Sequence, residues 1–235
     1  MDPLIAIANK YGLYVIEDAA ELIGATYKDK PCGSFGHIST FSFYPNKHIT
    51  TGEGGMVLTN DFSLAERCKM LRNLCFQKEK RFVHEEIGWN YRMTNLQAAL
   101  GLAQFENLEN NILKKIKIGE TYNKHLSELP FIKLPLTKTT YASNIYWVYG
   151  ILLEKKLGKA DKFMKSLSAL GVGNRPFFYP IHKQPVLKKL GFFKNIQKRL
   201  YSEDLYEQGF YIPSGLTLNE EKINYVVTQI KKLVL

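Results

Sequence analysis

A mixed apolar and polar stretch with helical spacing, Asp2 to Tyr11, stops at Gly12 and gives way to four apolar residues, Leu13-Tyr14-Val15-Ile16, which end in Glu17-Asp18-Ala19-Ala20. A short helix followed by a compact apolar strand is the alternation from which α/β sheets are built. In open sheets of that kind ligands bind at the carboxyl ends of the strands, so a pair of carboxylates there is at a functional edge. Ile38 to Phe43 reads as a second strand and Met56-Val57-Leu58-Thr59 as a third. Lys47 falls in the loop beyond the second.

That loop, Ser42-Phe43-Tyr44-Pro45-Asn46-Lys47, is closed by Gly52-Glu53-Gly54-Gly55. It puts a hydroxyl and an amine beside the carboxylate of Asp18, the set of groups that holds and activates pyridoxal phosphate (PLP). A lysine can form a Schiff base with an aldehyde cofactor and then serve as the proton-transfer base, while a carboxylate beside the pyridine nitrogen keeps the ring protonated. Ser42 can donate to the phosphate. Taken singly each residue has an ordinary reading: Asp18 as a cap, Lys47 as a solvated lysine, the glycines as a turn. The joint pattern favours the cofactor, and His48 beside Lys47 reads as structural.

Asp61 is placed to cap a helix to about Leu74, with Leu64, Cys68 and Leu71 on one face. Thr94-Asn95-Leu96-Gln97 fits a capping box, and Leu96, Ala99, Leu100, Ala103, Leu108 and Ile112 form an apolar stripe that can run on to Leu129. Pro130 and Pro135 then punctuate the chain. Beyond them Tyr146 to Leu153 reads as a strand, Lys159 to Leu170 as a helix stopped by Gly171, and Glu220 to Leu233 as an amphipathic terminal helix. The expected division is residues 1–129, part of a large cofactor-binding domain, and residues 130–235, a small α+β domain.

Composition narrows the classes. A formal charge of +10 comes from lysines dispersed among glutamates, not gathered in one arm, so it reads as a solvated surface, or as attraction of phosphorylated ligands, and a nucleic-acid partner is a weak competitor. The Trp147 and Tyr149 alternation reads as strand packing, not as a base-stacking platform. Three cysteines, Cys32, Cys68 and Cys75, make no CxxC pair, and Cys68 reads as a small core residue. His37, His84 and His125 lack ligand spacing, so no metal is expected. No membrane-spanning run or signal-type leader is seen, and a cytoplasmic location is expected.

The ordered set of motifs resembles the PLP-dependent sugar aminotransferases of the DegT/DnrJ/EryC1/StrS type. The resemblance rests on Val15 to Glu21, Phe41-Ser42-Phe43 with Asn46-Lys47, and Thr51 to Met56. It continues through Gly88 to Ala99, His182-Lys183-Gln184-Pro185 and Ile212-Pro213. It implies an α/β, aspartate-aminotransferase-like fold (a fold type I PLP enzyme) with a partial large domain and a small C-terminal α+β domain. It further implies PLP bonded covalently at Lys47, Asp18 on the pyridine nitrogen, Glu21 near the ring hydroxyl and Ser42 on the phosphate. Asn90 and Arg92 would reach the cofactor of a neighbouring subunit, making a homodimer with shared active sites. Arg175, Tyr179 and His182 are the candidates for sugar or diphosphate contacts. The implied reaction transfers an amino group, with glutamate as donor, to a keto-sugar nucleotide in amino-sugar or surface-glycan biosynthesis. Members of the family carry further strands and a Gly-Thr turn ahead of the region matching Met1, so a truncated enzyme is expected, with uncovered sheet edges and weak cofactor binding. The alternative is a non-catalytic remnant or a partner subunit.

Overall fold

The computed structural model describes residues 1–194, 196 and 200–235. The chain forms two compact units, and neither is continuous in sequence. The first comprises Met1–Leu113 and Lys138–Trp147; the second comprises Lys114–Thr137 and Val148–Leu235. This division differs from the single cut near Leu129 expected from the prolines, because the chain returns to the first unit for ten residues after β6 before building the rest of the second.

The first unit opens with α1 (Asp2–Tyr11), which has Pro3 in its first turn and ends on Gly12 in the left-handed conformation. Strand β1 (Ile16–Asp18) follows, then the small hairpin of β2 (Thr26–Tyr27) and β3 (Lys30–Pro31), then β4 (Ile38–Ser42) and β5 (Gly55–Leu58). The main sheet has the order β1-β4-β5. Strands β1 and β4 run parallel with Asp18 opposite Thr40, while β5 runs antiparallel to β4. The expected strand at Leu13 to Ile16 is therefore displaced toward the carboxylates. Leu13 and Tyr14 lie outside it and are exposed.

Helix α2 (Phe62–Arg72) is capped as expected, Asp61 Oδ1 accepting from the Leu64 amide at 3.0 Å. Helix α3 (Asn95–Phe105) carries the full capping box of Thr94 and Gln97. The chain then breaks at Glu106-Asn107 before α4 (Leu108–Leu126), so the stripe from Leu96 to Ile112 belongs to two helices. No residue of α3 is buried, and Leu96, Leu100, Leu102 and Phe105 face outward with all four residues of β5. The α3 part of the stripe is an open surface, while Leu108 and Ile112 on α4 are half-buried. Cys68 is likewise only half-buried, whereas Cys75 is fully enclosed.

The second unit holds most of the apolar core. Its elements after α4 are β6 (Ile132–Lys133), β7 (Tyr149–Leu153), α5 (Ala160–Ala169), β8 (Arg175–Pro176), α6 (Pro185–Lys189), α7 (Leu200–Gln208), β9 (Gly209–Ile212) and α8 (Glu220–Val234). The antiparallel sheet runs β6-β7-β9-β8. Tyr149, Ile151, Phe210 and Ile212 of its central strands are buried, as are Tyr122 and Leu126 of α4, Phe163 and Leu167 of α5, and Val226 and Ile230 of α8, with Tyr122 packed on Tyr149 and Phe163 on Phe210. Periodicity located α5 and α8 well, because each carries a narrow apolar face against a charged one.

Two residues of α4 fasten the turn that follows β9. Tyr122 donates its hydroxyl to Pro213 O at 2.8 Å, and the buried Lys115 Nζ donates to Ser214 O at 2.6 Å and to Ser214 Oγ at 3.2 Å. Burial pushes the Lys115 ammonium down from 10.5 to about 8. The folded chain thus binds this proton less tightly than the unfolded chain. The stability owed to Lys115 is lowest below pH 8 and rises as pH climbs from about 8 to 10.5. We expect urea unfolding to show the parent gaining on Lys115→Met by up to about 3 kcal/mol across that window. A difference independent of pH would mean that the amine is not desolvated.

Candidate active site

The carboxyl ends of the parallel pair β1 and β4 bring the sequence candidates to one edge. Asp18 is the last residue of β1, and Ser42, two residues beyond Asp18's register partner Thr40, is the last of β4. Glu17 and Asp18 point to opposite faces, as successive strand residues must. Glu17 is taken up by scaffolding: its carboxylate accepts from the amides of Gly33, Phe35 and Gly36 at 2.9, 2.5 and 2.5 Å, fixing the loop before β4. Asp18 Oδ1 accepts from the Ala20 amide at 3.2 Å, and the residue stays exposed. The Ser42 hydroxyl accepts from the Tyr44 amide at 3.2 Å, which leaves its proton to donate elsewhere.

The lysine loop is braced at both ends. The Phe43 amide donates to Gly54 O, and the Thr51 amide and Thr50 hydroxyl both donate to Phe43 O. Gln104 of α3 grips Thr50 through two hydrogen bonds, its Oε1 accepting from the Thr50 amide and its Nε2 donating to Thr50 O, at 3.0 and 2.8 Å. Gly52 and Gly54 take φ of +80° and +154°, values open to glycine and strained for other residues, so the glycine run is a conformational requirement.

Within this frame Lys47 is drawn inward, its side chain 9% exposed. Its Nζ lies 3.5 Å from Glu21 Oε1 and 4.1 Å from the ring centroid of Trp147. Among the described contacts Glu21 therefore meets the lysine amine. His48 is buried, with its Nε2 at 3.1 Å from Ile145 O, in keeping with a structural part. Sequence reasoning missed Trp147. Strand β7 begins at Tyr149, so the expected Trp147 and Tyr149 strand alternation is not formed. Tyr149 packs on Tyr122, with ring centroids 4.8 Å apart, in the second unit, and Trp147 belongs to the first.

The remaining candidates lie elsewhere. Asn90 pairs with Asn73 in an isolated bridge, and its Oδ1 accepts from Arg92 Nε at 2.9 Å; both residues are exposed. Arg92 borders a cavity of about 940 Å³ alongside Met56, Leu71 and Trp89, around β5 and α2. In the second unit Arg175 is exposed on β8, and Tyr179 packs edge-on against Tyr206 with ring centroids 4.9 Å apart. His182 also lies in the second unit. It is buried with its Nε2 at 3.0 Å from Glu203 Oε1, and Glu203 Oε2 accepts from Lys183 Nζ at 2.5 Å. The pair borders a cavity of about 600 Å³ together with Lys188 and Phe192. The same carboxylate raises the Lys183 ammonium above its usual range.

Among the described residues no helix is long and apolar enough to cross a membrane, and no cluster of His, Cys, Asp or Glu could hold a metal ion.

An α/β sheet with a carboxylate at the end of one parallel strand and a glycine-braced lysine loop after the next is of the aspartate-aminotransferase-like, fold type I class. Helicobacter pylori PseC, an aminotransferase involved in the biosynthesis of pseudoaminic acid, matches with a TM-score of 0.89 at 27% identity, over 98% of this chain and 62% of that one. DesI, solved in the presence of its TDP-sugar product, matches with a TM-score of 0.85 at 26% identity, over 99% of this chain and 58% of that one. The chain belongs to the DegT/DnrJ/EryC1/StrS aminotransferase family, which it matches over residues 1–231. It is 37% identical over 232 residues to the GDP-perosamine synthase of Escherichia coli O157:H7, covering 99% of this chain and 61% of that protein. The chain thus spans about three-fifths of the length of such curated relatives.

Proposed function

We propose that this chain carries the cofactor-lysine portion of a PLP-dependent nucleotide-sugar aminotransferase, which moves an amino group, with glutamate as donor, to a keto-sugar nucleotide in amino-sugar or surface-glycan biosynthesis. The observation that carries the reading is the enclosure of Lys47 Nζ beside Glu21 and Trp147 in the loop that follows Ser42, with Asp18 at the neighbouring strand end. That donor set fits PLP: an amine for the aldehyde, a carboxylate for the ring nitrogen and a free hydroxyl proton for the phosphate. When bound, the group supplies an electron sink that stabilises charge left by proton removal next to nitrogen.

The chain's own residues do the rest. Lys47 would hold the cofactor covalently through Nζ and, when free, would serve as the proton-transfer base. Asp18 would keep the ring nitrogen protonated, and Ser42 would anchor the phosphate. Exposed Asn90 and Arg92 are available to the site of a second copy, which supports a homodimer with shared sites. The relatives' nucleotide-sugar names and the basic surface support a diphosphate-bearing substrate. A cytoplasmic location follows from such substrates.

The test is direct. With millimolar PLP and borohydride, the peptide containing Lys47 is expected to gain the reduced cofactor's mass, and Lys47→Ala to lose that adduct entirely. An equal yield from Lys47→Ala would sink the assignment.

A further inference from the structure

Trp147 reaches the lysine loop by a built route. Its Nε1–H donates to Asn46 O at 3.1 Å, and the ring of His48 bonds Ile145 O at 3.1 Å. These two links join segments about a hundred residues apart in sequence, holding Ile145 to Trp147 against Asn46 to His48. Between them Tyr146 is 2% exposed and sits at φ +51°, with its amide donating to Asn144 Oδ1 at 2.7 Å. A bulky residue in the left-handed region is strained, and such strain persists only where the surroundings impose it. The left-handed step falls one residue before the tryptophan whose ring meets Lys47.

We propose that the face of Trp147, together with Glu21 Oε1, is the resting berth of the free Lys47 ammonium, and that Trp147 is a positioning residue for that lysine. The inference rests on the reading of Lys47 as the cofactor lysine, whose amine must be free for part of each cycle. An ammonium over an indole face is held by the ring quadrupole, and more strongly as water is excluded. With its side chain 9% exposed, 4.1 Å from the ring centroid and 3.5 Å from one carboxylate oxygen, Lys47 meets both conditions. The berth keeps a long, mobile side chain at its loop instead of in solvent and hides it from stray electrophiles. Trp147 needs no contact with substrate to do this.

The experiment uses the cofactor-free chain. Acetic anhydride labels lysines in proportion to the access and freedom of the amine, and peptide mass spectrometry reads Lys47 separately. Trp147→Leu is expected to raise Lys47 labelling roughly three- to tenfold, the loss of a partly desolvated cation–π contact. Trp147→Phe, which keeps an aromatic face, should recover much of the protection. A role in packing alone would leave Leu and Phe alike, and that result, or unchanged labelling in Trp147→Leu, overturns the proposal. Should Trp147→Leu fail to fold, a second measurement decides. The chain has two tryptophans, so Trp89→Phe leaves Trp147 as the sole tryptophan, to be excited at the red edge where tyrosine does not absorb. Adding Lys47→Met to that chain is expected to change its emission, and an identical spectrum counts against the berth. Neither measurement uses PLP, so a chain that failed to trap cofactor would overturn the function proposed above while leaving these readouts to stand or fall alone.

Discussion

Phe210→Ala is expected to cost the second unit about 3–5 kcal/mol, the usual loss when a fully enclosed aromatic ring is cut back to a methyl. Phe210 is 0% exposed on β9, an inner strand of the β6-β7-β9-β8 sheet. It lies opposite Ile151 on one side and Pro176 on the other, and its ring centroid is 5.6 Å from that of Phe163 on α5. With hydrogen-bonded neighbours on both sides, β9 cannot shift easily to fill the void. Since small domains are stable by only about 5–15 kcal/mol, one such cavity removes a large share of the total. Urea unfolding followed by circular dichroism should show the midpoint falling sharply, whereas Phe210→Leu, which keeps most of the volume, should cost under about 1.5 kcal/mol. Similar midpoints for the parent and Phe210→Ala would mean that the ring is not core.

The contrast between the two units explains which features could be read from sequence. Asp61, the Thr94 and Gln97 box, and the faces of α5 and α8 are local signals, each set by residues within one or two turns. The strand reading put Asp18 at a strand end and Lys47 in the loop after the next strand for a similar reason, since a strand end and its loop are contiguous. What depended on distant partners was lost. Leu96 and Leu100 repeat with helical spacing, yet burial needs a neighbour to cover them, and periodicity cannot say whether one is present. His182 sits in a family motif, but its bond to the Glu203 carboxylate spans 21 residues and has no local mark in the sequence. Trp147 lies 101 residues from the Asn46 carbonyl it binds, and its place two residues before Tyr149 suggested a strand face instead. The left-handed step at Tyr146, one residue earlier, has no sequence mark such as glycine or asparagine. The return of Lys138–Trp147 to the first unit was hidden for the same reason, because proline punctuation marks where elements end and not which unit the next one joins.

Asp18→Ala is expected to raise the PLP concentration giving half-maximal borohydride trapping by roughly ten- to 150-fold, while leaving the adduct on Lys47. The carboxylate next door offers the control. Glu17 spends its oxygens on three loop amides, so its replacement should loosen the Gly33 to Gly36 loop and act on stability. Asp18, one residue further along, accepts from the Ala20 amide through one oxygen and faces solvent at the strand end. A hydrogen bond to a charged group contributes about 1.5–3 kcal/mol, and each 1.4 kcal/mol is a factor of ten in affinity. The expected shift follows from that range. Asp18→Asn, which keeps the shape and loses the charge, should fall near Asp18→Ala if the charge holds the ring proton, and near the parent if Asp18 only caps the turn through Ala20. An Asp18→Ala chain trapping PLP at the parent's concentrations would leave Lys47 as the cofactor lysine but take the ring-nitrogen role from Asp18, because covalent capture needs the amine alone, whereas tight noncovalent binding needs the ring to be held as well.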